Sequence, residues 1–189
     1  FKKGCASVAL KEFKDEYNFK RAFIVTDANL FKIGVHQPVV DQLEGMGIAV
    51  SCFYGIEVDP KIQDCMKGLP DMDSFQPDVI VAIGGGSAID TAKGIGIVFN
   101  NPDFADVKSL EGVADTKQKA VPTFALPTTA GTAAEVTINY VIIDEEKKKK
   151  MVCVDPNDIP AVAIVDPELM YSMPKGLTAA TGMDALTHA

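Results

Sequence analysis

The stretch VIVAIGGGSAIDTAK, residues 79–93, constrains the fold of this chain more than any other part of it. An apolar run typical of a buried strand leads directly into three glycines, and a helix-forming segment follows. Glycine has no Cβ atom, so its backbone N–H groups can approach an anion closely, and the N-terminus of the next helix adds a positive dipole end. The pattern therefore predicts a strand-to-helix turn that is suited to a phosphate group.

The spacing of these glycines departs from the common dinucleotide-binding fingerprint. Gly84 and Gly86 are followed by Ile89 where that fingerprint has its third glycine. Ser87 and Asp90 are expected to form a variant of the capping box at the start of the helix. A cradle for a pyrophosphate and a tight turn without a ligand both remain open on this evidence alone.

Strand-like and helix-like segments alternate along the chain. Strands are expected in RAFIVTD, GIAVSCFYG, PDVIVAIGGGS, VPTFALP and PAVAIVDPEL, and helices in VALKEFKDEYNF, 38–46, SAIDTAKGIGIVF and from about residue 177. Pro70 is expected to end or kink a further helix that starts in KIQDCMKG. We expect a long polar surface connection over residues 100–120 and, in TINYVIIDEEKKKKMVCVD, two strands around a charged turn. The alternation favours an α/β fold with a mainly parallel sheet.

Charge and composition narrow the classes of partner. The formal net charge of −8 argues against nucleic acid or an anionic membrane surface as the main partner. No apolar run is long enough to span a bilayer, and the first residues lack the apolar region of a secretory signal. The four cysteines form no C-x-x-C pair, which favours reduced thiols in a cytoplasmic protein.

An acidic residue at the end of the first predicted strand is a candidate cofactor ligand. Asp27 ends AFIVTD, and a carboxylate at the carboxyl end of a parallel strand can accept hydrogen bonds from ribose hydroxyls. It would also repel the additional phosphate of NADP. The alternative is that Asp27 caps the following helix. Because Asp27 precedes the glycines instead of following them, the order indicates a variant nucleotide-binding fold.

Two further stretches carry polar side chains in patterns that could bind a cofactor or a metal. LPTTAGTAAEVT, residues 126–137, offers hydroxyls and loop amides to a phosphate or ribose, although a polar loop with a helix cap fits equally well. In TGMDALTHA, Asp184 and His188 are four residues apart, so a helix places them on one face. A carboxylate and an imidazole suit a divalent ion such as Fe²⁺ or Zn²⁺, but two protein ligands are too few for a stable catalytic site.

Taken together, AIGGGSAIDTAKGI, PTTAGTAAEVT and ATGMDALTHA resemble, in order and spacing, the iron-containing (group III) alcohol dehydrogenases. The resemblance runs over essentially the whole chain. NNPDFADVKSLEG, TTAGTAAEVTINYVIIDEEKKKK and VCVDPNDIP are most similar to members of this family that act on lactaldehyde and propanediol. The resemblance implies a Rossmann-like α/β domain of the dehydroquinate synthase-like type over residues 1–176. Residues 177–189 would then be the first helix of an all-helical, metal-binding domain that is otherwise absent from this sequence.

The family resemblance also implies a set of functional residues. The residues expected to bind NAD are Asp27, Gly85, Gly86, Ser87, Thr128, Thr129, Thr132, Asn139, Val141 and Lys150. Asp184 and His188 correspond to the first two of four iron ligands, with zinc as the alternative metal, and no catalytic residue is implied beyond the metal ligands. Asp59 stands where close relatives often carry asparagine, so no cofactor contact is carried over to it.

The implied activity is hydride transfer between NAD(H) and a small aldehyde or alcohol at a divalent iron site, in an enzyme that forms a homodimer. This chain would then be an NAD-binding part that is inactive by itself. Two other interpretations stay open on the same scaffold, a glycerol dehydrogenase-like zinc enzyme and an alcohol dehydrogenase module of a larger fusion. A chain that binds NAD without performing chemistry is compatible with the first interpretation.

Overall fold

Helices and strands alternate as the sequence predicts in a computed structural model that describes residues 1–56 and 59–189. The helices are α1 (Cys5–Tyr17), α2 (Ala28–Lys32), α3 (Gln37–Gly45), α4 (Ile62–Phe75), α5 (Gly86–Asn100) and α6 (Lys175–His188). The strands are β1 (Arg21–Asp27), β2 (Ala49–Ile56), β3 (Val79–Gly84), β4 (Gly112–Val113), β5 (Thr123–Pro127), β6 (Asn139–Asp144), β7 (Lys149–Val154) and β8 (Val162–Ala163).

Five strands form a parallel sheet in the order β2-β1-β3-β5-β8. The central strand β3 pairs with β1 through Val81 and Ile24, and with β5 through Val81 and Phe124. The carboxyl ends of these parallel strands therefore share one edge of the sheet, the position at which α/β proteins bind their ligands. A smaller sheet has the order β4-β7-β6, with β6 and β7 forming an antiparallel hairpin.

The main sheet is covered on both faces, which explains why its strands are apolar at nearly every position. One face carries Phe23 and Ile80 and packs against α4, α5 and the β6–β7 hairpin. The opposite face carries Ile24 and Val81 and packs against α1 and α3. Successive strand residues point to opposite faces, so two separate apolar clusters stabilise the domain from the two sides.

The sequence predicts that Pro70 ends or kinks its helix, and the first of these alternatives is wrong. α4 continues from Ile62 to Phe75 with Pro70 inside it. Pro70 and Met66, whose carbonyl loses its helical partner, are exposed, so water can replace the missing hydrogen bond. Met72, on the inner face, is fully buried and anchors the helix beyond the proline.

Two other segments also differ from the sequence-based expectations. The connection over residues 100–120 is not purely a surface loop, because two of its own residues, Val107 and Leu110, are fully buried. In PAVAIVDPEL only Val162–Ala163 forms a strand, at the edge of the sheet. The chain then turns at Asp166, whose carboxylate accepts hydrogen bonds from Gly4, Ala6 and Glu168. These bonds tie the start of α1 to the last part of the domain.

α5 is the most thoroughly buried helix, with every residue from Thr91 to Val98 buried. It nevertheless contains Lys93, which is also fully buried. Among the described residues, no helix is both long and apolar enough to cross a membrane.

Candidate functional site

Two glycines of the turn between β3 and α5 lie closely against a threonine loop. A Cβ atom on Gly85 would lie 3.1 Å from Thr129 Oγ1, and one on Gly86 would lie 3.1 Å from both Thr132 Cγ2 and Thr132 Oγ1. We call these four residues the glycine–threonine cradle. Any larger residue at the two glycine positions would occupy the space between the two loops.

The capping box expected from Ser87 and Asp90 is wrong. α5 begins at Gly86, and its N-cap residue Gly85 provides no side-chain hydrogen bond. Asp90 Oδ2 instead accepts a hydrogen bond from the backbone N–H of Val141, at 3.0 Å. The carboxylate therefore joins α5 to β6 across the fold and leaves the start of the helix without a side-chain cap.

The threonine loop follows β5 at the same sheet edge as the glycine turn. The backbone N–H of Thr128 donates to the Gly84 carbonyl at 2.9 Å, which fixes the loop beside the turn. Thr128 is buried, Thr129 is half-buried and Thr132 is exposed. The loop thus offers hydroxyl groups at increasing distance from the core.

Beside the cradle lies a cleft of about 250 Å³. Its lining residues come from the start of α5, the threonine loop, the β6–β7 hairpin and the segment before α4, and they are Asp59, Pro60, Gly86, Ser87, Asp90, Thr132, Val141, Ile143 and Lys150. Five predicted cofactor residues, Gly86, Ser87, Thr132, Val141 and Lys150, are brought together there from separate parts of the sequence. Gly85 and Thr129 lie against the same loops, as the cradle shows.

Asp27 lies at the same sheet edge but outside the lining of this cleft. It follows Thr26, which pairs with Ile83 next to the glycine turn. Its Oδ1 accepts hydrogen bonds from the backbone N–H groups of Asn29 and Leu30, at 2.9 and 3.0 Å. The interpretation of Asp27 as a cap of the following helix is therefore confirmed, and a ribose contact would be made in addition to it.

Asn139 also lies outside the cleft lining, at the exposed start of β6, but its backbone is anchored from below. The buried ammonium group of Lys93 donates to the carbonyls of Thr137 and Asn139, at 2.7 and 3.0 Å. Burial lowers the pKa of Lys93, although nearby carboxylates, Asp90 first among them, oppose that shift. One lysine inside the most buried helix thus holds the strand that forms one wall of the cleft.

A carboxyl group with an altered pKa faces the cleft. Burial raises the pKa of Asp90 from 3.8 to about 6, against the opposing effects of the Val141 hydrogen bond and of Lys93. In the described part of the chain, Asp90 Oδ1 is buried without a hydrogen-bond partner. It is therefore the cleft's one orphaned buried polar atom among the described residues, and a ligand group could satisfy it.

Sequence reasoning missed the roles of Asp90 and Lys93. The signal was present as two charged residues, one helical turn apart, in an otherwise apolar segment. Since charged residues in a buried helix need partners, they point to polar contacts with another element. Which element supplies those contacts is not readable from the segment itself.

Asp184 and His188 lie on one face of α6, as their spacing of four residues predicts. Their Oδ1 and Nε2 atoms are 3.5 Å apart on the exposed surface of α6. A Cβ atom on Gly131 would lie 2.9 Å from Asp184 Oδ2, so the pair is adjacent to the threonine loop. Within residues 1–56 and 59–189, no three His, Cys, Asp or Glu side chains form a group that could hold a metal. The donor types fit a divalent ion, but only as part of a larger ligand set.

A larger cavity of about 430 Å³ lies away from the cleft, between α1, α3 and residues 166–172. Its buried acid, Asp166, already accepts the backbone hydrogen bonds that cap α1. Burial tends to raise the pKa of Asp166, but these N–H donors outweigh it and lower the pKa below the ordinary value. Size alone therefore does not make this cavity the candidate site, since its charged group is already satisfied.

Comparisons with known proteins identify relatives over the whole chain. The chain is 50% identical over all of its 189 residues to lactaldehyde reductase of Escherichia coli K12, and covers 49% of that protein. Among solved structures, 1,3-propanediol oxidoreductase superposes with a TM-score of 0.92 at 40% identity, with 100% of this chain and 49% of that one covered.

The sulfoacetaldehyde reductase of Bifidobacterium kashiwanohense, solved in complex with NAD⁺, has a TM-score of 0.85 at 33% identity; 96% of this chain and 47% of that one are covered. The chain thus spans about half the length of the relatives it matches. Residues 1–167 match the family described as iron-containing alcohol dehydrogenase. Motifs, fold and relatives agree, and the chain belongs to the iron-containing alcohol dehydrogenase family.

Proposed function

We propose that this chain supplies the NAD(H)-binding cleft of an alcohol dehydrogenase that interconverts a small aldehyde and its alcohol. The observation that carries the proposal is the glycine–threonine cradle, which lies at the start of the buried helix α5 and beside a cleft that contains one lysine. Membership of the family and a relative solved with NAD⁺ support it.

The residues of the cradle would bind the pyrophosphate of the dinucleotide. Gly85, Gly86 and Ser87 lie at the N-terminus of α5, where backbone N–H groups and the helix dipole favour an anion. Thr129 and Thr132 would add hydroxyl donors from the facing loop, and Thr128, which is buried behind them, would hold that loop in place.

The hairpin and the first strand would bind the two ends of the cofactor. Val141 and Lys150 line the cleft and would contact the nicotinamide side, together with the start of β6 at Asn139. Asp27 would accept hydrogen bonds from the adenosine ribose at the other end of the sheet edge. Its negative charge would disfavour the additional phosphate of NADP, so we propose NAD as the cofactor.

When bound, NAD(H) carries the hydride and a divalent metal polarises the carbonyl oxygen as a Lewis acid, with iron implied by the family and zinc as the alternative. Asp184 and His188 would provide a carboxylate and an imidazole to that metal. The task of this chain's own residues is to bind and orient the cofactor against the substrate. For the substrate we propose a small hydroxyaldehyde or diol of the lactaldehyde type, on the basis of the 50% identity to lactaldehyde reductase. The homodimer stays a prediction.

A fluorescence titration with NADH, and in parallel with NADPH, tests the cofactor assignment. We expect saturable NADH binding and much weaker NADPH binding. Asp27→Ser keeps a helix-capping oxygen but removes the charge, so it should raise the affinity for NADPH. Asp41→Ser, on the exposed surface of α3, is the matched control and should change neither affinity. Absence of saturable binding of both nucleotides by the wild-type chain would refute the proposal.

The metal assignment is tested in the full-length protein. His188→Ala should abolish both bound metal and turnover, measured by elemental analysis and by NADH oxidation with a small aldehyde. Thr187→Ala, one residue earlier on the exposed helix, is the control and should retain both. Full metal content and activity in the His188 variant would remove His188 from the ligand set.

A further inference from the structure

A carboxylate lies beside the lysine of the cleft. Lys150 Nζ is 3.7 Å from Asp59 Oδ1, and both side chains are largely exposed, at 68% and 59%. Lys150 supplies the single ammonium group among the described residues that line the cleft, and Asp59 lines it too. Lys150, the cation that a bound anion would approach, is therefore already paired with the carboxylate of Asp59.

Backbone contacts bring together the two segments that carry these side chains. The N–H of Ile143 donates to the Pro60 carbonyl at 2.7 Å, which fixes the residue after Asp59 against β6. Ile143 in turn pairs with Lys150 across the β6–β7 hairpin. Both connections run through the main chain, so they keep the backbone next to Asp59 close to the strand that carries Lys150.

Two other lysines near Lys150 are already paired with other carboxylates. Lys149 pairs with Glu111, and Lys61 pairs with Glu145 at 3.4 Å. The second acid of the cleft, Asp90, is held by Val141 and lies near the buried Lys93. Asp59 is thus the cleft carboxylate whose charge is balanced by Lys150.

We infer that Asp59 is an internal competitor of the dinucleotide: it holds Lys150 in the free protein and opposes the negatively charged pyrophosphate when the cofactor binds. The inference rests on the proposed function, since it concerns the same cleft. When Lys150 turns to the bound cofactor, Asp59 loses its partner and faces the negatively charged pyrophosphate. Asp59 therefore sets the affinity of the cleft for dinucleotide below the value that the cradle and Lys150 alone would give.

Asp59→Asn is a clean test of this competition. Asp59 has a positive φ of 65°, a conformation that asparagine adopts as readily as aspartate, so the substitution removes the charge without straining the backbone. We expect NADH to bind about threefold to tenfold more tightly to the variant at low salt, as for the removal of one solvent-exposed like charge near a dianion. The gain should shrink as the salt concentration rises beyond the physiological range.

A double-mutant cycle shows whether the effect runs through Lys150. Lys150→Met should weaken NADH binding, and Asp59→Asn should improve it less in that background than in the wild type. Asp71→Asn, an exposed acid on α4 outside the cleft lining, is the matched control for net charge and should leave the Kd unchanged.

The outcomes separate the inference from the proposed function. Tighter binding by Asp59→Asn, sensitive to salt and reduced in the Lys150→Met background, supports the inference. NADH binding by the wild type with an equal or weaker affinity in Asp59→Asn overturns the inference alone, and a weaker affinity would mean that Asp59 accepts a hydrogen bond from the cofactor. If neither the wild type nor the variants bind NADH, the proposed function fails and the inference fails with it.

Discussion

Replacing the buried Lys93 with methionine tests how the wall of the cleft is held. The ammonium group is fully buried and donates to the Thr137 and Asn139 carbonyls at 2.7 and 3.0 Å. Methionine has a similar length and fills the same volume without a donor, so the change isolates the polar contacts from the packing.

The magnitude follows from two opposing effects. Each carbonyl left without a donor in a buried position costs about 1–3 kcal/mol, and Asp90 and Asp158 lose a nearby cation. Against this, the variant no longer has to keep an ammonium group out of water, which offsets part of the loss. We expect the free energy of unfolding to fall by about 3 kcal/mol and NADH affinity to fall about tenfold, because β6 is no longer fixed.

Urea unfolding followed by circular dichroism measures the first effect, and fluorescence titration measures the second. Lys14→Met is the matched control: Lys14 also donates to a backbone carbonyl, that of Met46 at 3.1 Å, but it is half-exposed. Water can replace that donor, so a loss of no more than about 0.5–1 kcal/mol is expected there. If Lys93→Met is as stable as the wild type or more stable, the view that these hydrogen bonds outweigh the desolvation of the lysine is refuted.

Three further changes test other parts of the structure. The pKa of Asp90 is about 6 in the folded chain and 3.8 in the unfolded reference, so the ionised carboxylate destabilises the fold by about 3 kcal/mol above pH 6, and this effect disappears as the pH falls towards 4. Asp90→Asn should therefore flatten the dependence of stability on pH, measured by urea unfolding at pH 4–7. An unchanged pH dependence would contradict the assignment. Gly86→Ala places a Cβ atom 3.1 Å from Thr132. NADH affinity should therefore fall at least tenfold while the circular dichroism spectrum stays native. An affinity equal to that of the wild type would exclude a ligand at the cradle. Asp166→Ala removes the cap of α1 and should lower the free energy of unfolding by about 1–2 kcal/mol, with faster amide exchange in α1. Because the hydrogen bonds lower the pKa of Asp166, the stability difference between variant and wild type should vanish in acid, below the pKa of Asp166.

Much of the fold was predictable because its signals are local. The apolar runs around Ile24, Val81 and Phe124 predict strands that are buried on both faces, and the three glycines predict the turn that follows β3. Helix spacing alone places Asp184 and His188 on one face. These features depend on side-chain periodicity and on the backbone preferences of single residues, which the sequence carries directly.

Where local rules failed, a contact from elsewhere in the chain was stronger. Ser87 and Asp90 have the spacing of a capping box, yet the Asp90 carboxylate bonds to Val141, 51 residues later. Pro70 lies in a helix that its buried inner face holds together. In both cases a tertiary interaction decided between conformations that differ little in local free energy.

What the sequence by itself determined is the class of fold, the glycine turn and the residue types available for binding an anion. Only the tertiary structure decided which charges meet. Lys93 reaches carbonyls 44 and 46 residues away, and Asp59 meets Lys150 through β6. Such pairings depend on strand order and register, which are set by the packing of the whole domain, and charge in a sequence says nothing about its distant neighbours until that packing is known.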